Sequence, residues 1–302
     1  MSMRPVRRII EAKPTLEGAG VHLRRALGFG DPGESDPFLL LDDLRNERPE
    51  DFIAGFPWHP HRGIETITYV LAGTVEHGDS IGNRGSIASG DIQWMTAGSG
   101  IVHQEMPKGD ERGRMHGFQL WANLPAALKM TKPRYQEVKS PDVPEVTEDD
   151  GSRARIVCGQ FWGKRGPVEG IAADPIYIDV SIPPGRRKTL PVETTHNAFA
   201  YVFAGSGKFC NASAPLAVPT EHVGWWTGAD APPPTEAGNR TLVLFDRGDE
   251  VTVQAGEHGI RFLLVSGRPL REPVAWYGPI VMNTQSELRQ AFQELERGTF
   301  LR

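Results

Sequence analysis

Cysteine is nearly missing from this chain. Cys158 and Cys210 are the only two in 302 residues, too few for a disulfide framework, and both are read as reduced thiols. Long hydrophobic runs are missing too, since none approaches the roughly 18 apolar residues of a membrane helix. Residues 1–14 carry basic side chains with no apolar stretch behind them, which is not the layout of a secretory signal. The sequons at Asn211 and Asn239 are therefore read as chance matches, and a cytoplasmic protein is expected. An excess of positive charge is also lacking. Lys and Arg number 33 against 38 Asp and Glu, a net charge of −5. That balance excludes a general nucleic-acid binder, while leaving contact with a DNA-binding protein open.

What is plentiful is punctuation. The chain has 34 glycines and 25 prolines, and that many turn residues imply short strands. At roughly 150 residues per domain, two domains are expected. Residues 37–42, 66–73, 92–95, 100–106 and 116–122 read as strands separated by turns, as do 176–182, 198–205, 241–245 and 260–265. Such spacing points to an antiparallel barrel or sandwich. The polar, proline-containing stretch 139–153 reads as an exposed connection. It separates a first domain, 1–138, from a second, 154–302. Near the end, Thr284 and Glu287 form a capping box ahead of Leu288, Ala291, Phe292 and Leu295, and Gly298 closes the pattern. A helix over 285–297 is expected there, with its apolar stripe against the other domain.

The halves resemble each other. Tyr69 and Gly73 recur 132 residues later as Tyr201 and Gly205, and the same offset carries Trp94 to Trp226. The fold expected is all-β: two β-barrel domains in tandem, arisen by duplication, with a C-terminal α-helix.

The chemistry is concentrated in the first half. His59 and His61 stand at i and i+2, as do His103 and Glu105, and on an extended chain such positions share a face. Each pair can aim both members into a barrel. A lone histidine is ordinarily a surface or core residue, but two such pairs on separate strands make one metal site the better reading. Three imidazoles and a carboxylate suit a divalent transition metal; zinc, iron, manganese, cobalt, nickel and copper all remain open. Glu65, four residues after His61, is either a carboxylate that orients a ligating imidazole or a core carboxylate. His77, His116 and His196 are read as structural or exposed, and His22, His222 and His258 as turn residues.

Three stretches carry a specific resemblance: Asp36 to Asp43, Phe56 to Gly73 with its His59-Pro60-His61-Arg62-Gly63, and Gly90 to Pro107 with its Gln93-Trp94-Met95-Thr96-Ala97-Gly98. Together they resemble the pirins, proteins with two cupin (jelly-roll-type) domains. The resemblance is strong over residues 1–125 and general beyond. It implies His59, His61, His103 and Glu105 as ligands, iron(II) as the ion, and Glu65 outside the ligand set. It also implies a second cupin without metal. The 132 offset lands the four ligand positions on Pro191, Glu193, Thr235 and Ala237, with His196 a residue or two away from the list. Two functions attach to such proteins. One is a quercetin 2,3-dioxygenase, which opens a flavonol-like aromatic substrate with O2 and in which Glu105 would take the 3-hydroxyl proton. The alternative is a non-enzymatic, redox-sensitive iron protein that binds a protein partner in transcription. Arg186-Arg187-Lys188 is too short for a nuclear-localisation cluster, and the enzyme reading is preferred.

Overall fold

The structure is a computed structural model that describes residues 2–28, 30, 32–210 and 236–301. Trp226, His222, Thr235 and the sequon at Asn211 lie outside the described residues, as does the side chain of Cys210.

The strand Ile64–Ala72 explains most of the architecture. It is rich in β-branched and aromatic residues, and it is buried on both faces. It lies at the centre of an antiparallel seven-stranded sheet, between Ile92–Thr96 and His116–Asn123. Alternation divides its side chains. Ile67 and Tyr69 point one way, into a core shared with Trp94, Phe118 and Leu120 of the same half and Tyr177, Phe199, Tyr201 and Leu263 of the other. Thr68 points the other way, to a facing four-stranded sheet made of Phe56–His61, Ile101–Lys108, Thr74–Asp79 and Arg84–Ala88. Among the described residues no ladder joins the two sheets. The first barrel is thus two facing sheets rather than a hydrogen-bonded ring, and its lumen lies between them.

The second half keeps the strand order around its centre, but its strands join a single nine-stranded sheet. Its centre is Asn197–Cys210, between Thr241–Phe245 and Glu250–Gly267. Gly73 and Gly205, the repeat pair, both adopt positive φ (82° and 66°). A side chain there would meet a backbone oxygen, Lys108 O at 2.5 Å or Gly259 O at 2.1 Å, so only glycine fits. The halves are joined by two reciprocal contacts. Tyr69 Oη donates to Asp179 at 2.8 Å, and Tyr201 Oη donates to Asp43 at 2.7 Å. Arg261 and Arg45 balance the two buried carboxylates.

Three expectations change. The strand Val6–Glu11, assigned by sequence to the first domain, pairs with Thr241–Phe245 and completes the second sheet. The edge it covers is far away in sequence, so local pattern held no trace of it. The connection 139–153 is not simply exposed chain, because Glu145–Thr147 forms an edge strand against Arg153–Cys158. The helix is present as Gln285–Glu296 with its capping box formed, but its stripe packs on its own segment, against Ala275, Ile280, Met282 and Phe300. The hairpin of Ala275–Tyr277 and Ile280–Met282 directly precedes the helix in sequence and offers it an apolar face.

The repeat also lengthens. Tyr69 pairs with Ile92 and Tyr201 with Leu242, so the offset there is 150 (92 to 242) rather than 132. The strand that mirrors Phe56–His61 is Arg187–Pro191, which pairs with Glu250–Gln254. The second lumen is therefore lined by Leu190, Val251 and Val253, all buried in an apolar cluster. Glu193 is exposed, and His196 is buried beside Ser266.

Candidate metal centre

The register of the four-stranded sheet assembles the site. Ile101–Lys108 runs between Phe56–His61 and Thr74–Asp79, with His103 opposite His59 on one side and Asp79 on the other. Directly paired residues share a face. His59, His61 and His103 thus converge, and their ligand atoms lie within 4.8 Å of one another. This is the one such group among the described residues.

The hydrogen bonds suit a metal. A carbonyl can only accept, so His59 Nδ1 donates to Pro57 O (2.8 Å) and His61 Nδ1 to Pro279 O (3.2 Å). Each Nε2 is left with a free lone pair. His103 has no partner on either ring nitrogen, although it is fully buried. An unpaired buried polar atom costs on the order of 1–3 kcal/mol, and coordination is the natural relief for it. Burial, then the neighbouring His59, pushes His61 down to about 3. Burial and the surrounding imidazoles also hold His103 well below its ordinary value. Both rings are therefore neutral, which is the ligating form. The donor set fits a divalent transition ion.

Glu105 lies on the same strand but outside that three-histidine cluster. Trp121 Nε1–H donates to Gln119 Oε1 at 3.4 Å, which leaves Gln119 Nε2–H to donate to Glu105 at 2.7 Å. Thr68 Oγ1 donates to the other Glu105 oxygen at 2.9 Å. Sequence reasoning missed Thr68, Gln119 and Trp121. The alternation within residues 66–73 and 116–122 puts them on one face, but polar residues on a strand read as surface until a second sheet is known to cover them. For His77, of the two readings structural or exposed, the structural one fits. His77 is buried, its Nε2 lies 3.1 Å from Asp79, and its ring sits 5.5 Å from that of His103.

Beside the imidazoles opens a cavity of about 340 Å³, lined by Leu40, Phe56, His59, His61, Gln119 and Trp121, with the Arg25–Asp42 ion pair also in its wall. Small-molecule sites typically span about 300–1,000 Å³. Burial pushes Asp42 up to about 6 against the pull of Arg25.

Glu65 faces away from all of this. It shares the interdomain side of its strand with Ile67 and Tyr69, and it accepts from Thr96 Oγ1 at 2.7 Å. It is a core carboxylate. Burial pushes it up to about 7 from 4.5. Between those values the folded chain holds a proton that the unfolded chain has lost, so this group costs stability as pH rises through the window. Glu65→Gln is expected to raise the melting temperature over wild type at pH 8 but not at pH 4, by up to ~3 kcal/mol of stability. Metal affinity should stay within about twofold, because outer contacts matter only when they touch a ligand. A loss of metal in this variant would place Glu65 in the site.

The Pirin family model matches residues 20–122, and the Pirin C-terminal cupin domain matches residues 177–301. A pirin-like protein of Caulobacter vibrioides is 43% identical over 99% of this chain and 100% of its own length. The chain belongs to the pirin family. The crystal structure of quercetin 2,3-dioxygenase from Acinetobacter baumannii superposes with a TM-score of 0.85 at 29% identity, covering 99% of each chain. The bacterial pirin YhhW from Escherichia coli, solved with nickel(II), has a TM-score of 0.61 at 18% identity, covering 86% of this chain and 99% of its own. At that distance the likeness concerns fold. The two halves are the pirin N-terminal and C-terminal cupin domains. Among the described residues no helix is long and apolar enough to cross a membrane.

Proposed function

We propose that this pirin is a metal-dependent dioxygenase that opens the central ring of a flavonol with O2. It holds one divalent transition ion, iron(II) by preference, on His59, His61, His103 and Glu105. The observation that carries this reading is the convergence of three imidazoles, His103 with both ring nitrogens unpaired and His59 and His61 at the wall of a 340 Å³ cavity. The likeness to the Acinetobacter enzyme supports the substrate class. When bound, the ion supplies Lewis acidity and access to dioxygen.

The residues of the chain do the rest. Leu40, Phe56 and Trp121 give the cavity apolar walls that receive an aromatic ring and exclude water. Arg25 is held by Asp42 and Glu17, so it offers no free cation to a carboxylated substrate. Glu105 takes the 3-hydroxyl proton of the flavonol. Thr68 and Gln119 hold its carboxylate in place for that transfer.

Protein loaded with iron(II) under anaerobic conditions and then given oxygen and quercetin should consume O2, bleach the flavonol absorbance and release carbon monoxide. Full metal occupancy without oxygen uptake on any flavonol would overturn the proposal.

A further inference from the structure

The second half has no cluster of ligating side chains among its described residues, yet it supplies one wall of the centre in the first. We propose that the C-terminal segment, residues 275–301, is a clamp that positions the His59-Pro60-His61-Arg62-Gly63 motif, with Arg62 as its handle. The proposal rests on the metal centre described above, and it gives the second half a part in that centre.

Three consecutive residues of the motif are gripped. His61 Nδ1 donates to Pro279 O, which fixes the tautomer and aims Nε2 at its fellow imidazoles. The Arg62 carbonyl accepts from Val281 N–H at 3.1 Å. Its guanidinium, 2% exposed, donates to Ser99 O (2.7 Å), to Glu294 (2.8 Å) and to Phe300 O (2.8 Å). It also lies 4.1 Å from the centre of the Phe300 ring. The Gly63 carbonyl accepts from the Lys129 ammonium at 2.9 Å, and the same ammonium reaches Val281 O at 3.0 Å and Asn123 Oδ1 at 2.6 Å. Gly63 has φ +78°, and a Cβ there would come within 1.9 Å of Val281 O, so the two backbones meet without room for a side chain.

Simple anchoring of a chain end would not need this arrangement. The helix packs its apolar side chains on its own hairpin, but its polar reach, Glu294, goes to the residue next to a ligand. A buried guanidinium with a carboxylate and two backbone carbonyls as acceptors is held in one place. The His61 ring follows the backbone that Arg62 fixes. Contacts that orient ligands in this way typically alter metal affinity about 10- to 100-fold.

The test uses the full chain and cobalt(II). Its affinity is measured by chelator competition, and its visible spectrum reports ligand geometry. Glu294→Gln should weaken cobalt(II) binding about tenfold and shift the visible bands. Val253→Ala, in the core of the second barrel, lowers the melting temperature without touching the clamp, and it should leave both readings at wild-type values. If Glu294→Gln does not fold, Thr284→Ala loosens the same segment from the far end of its helix, and it should move affinity and spectrum in the same direction. Wild-type affinity and spectrum in the clamp variant would overturn the clamp, as would equal changes in the Val253 control. Failure of the wild-type chain to bind cobalt(II) would overturn the metal centre itself and the clamp with it.

Discussion

His61→Ala is expected to strip the protein of most of its metal, a loss larger than the roughly 10- to 100-fold that outer contacts cost. The ring is 2% exposed, makes one of the three converging ligand atoms, and packs edge-on against Trp121. Its removal also leaves Pro279 O without its partner, which costs about 1–3 kcal/mol of stability. His103→Ala should abolish metal equally but behave differently in metal-free protein. It deletes two buried nitrogens that have no partner, so its cost to the metal-free fold should be the smaller of the two. Chelator competition and thermal melts of both variants check this pair of outcomes. Wild-type metal affinity in either would remove that residue from the site.

Turnover is where Glu105→Gln should show its effect. Loss of a positioned base typically costs about 10²- to 10⁴-fold in rate. The amide fits the existing contacts, since its oxygen can accept from Gln119 and the Thr68 hydroxyl can turn to accept from its nitrogen. The local fold should therefore survive. If Glu105 is both ligand and base, kcat on quercetin should fall at least 100-fold, and well beyond any fall in occupancy. If activity per bound ion is unchanged, Glu105 is no base, and the proton goes elsewhere.

Much of this was legible in the sequence, for physical reasons that differ by feature. Turn residues and β-branched runs are local signals, and they gave the strands. The i, i+2 spacing of His59 with His61 survives folding because a strand has only two faces. The capping box from Thr284 to Glu287 is a four-residue motif and formed as read. What stayed hidden was long-range. Val6–Glu11 completes a sheet more than 200 residues away in sequence. Pro279 reaches His61 through a backbone carbonyl, which has no side-chain signature. Glu65 shows the limit of counting: four residues after His61 it looks like a companion of the ligands. The turn at Gly63, with its positive φ, separates the two strands and delivers Glu65 to the opposite face. The repeat misled in the same way. An offset that held within one strand pair shifted before the next, so the ligand positions mapped to the wrong residues of the second barrel.

The central claim is that one ion sits in the first domain on His59, His61 and His103. Elemental analysis of the purified wild-type chain tests it most directly. After loading with a divalent transition metal and removal of excess ion, the account predicts close to one ion per chain. A value near zero would contradict the centre, and a value near two would contradict the filled lumen of the second barrel.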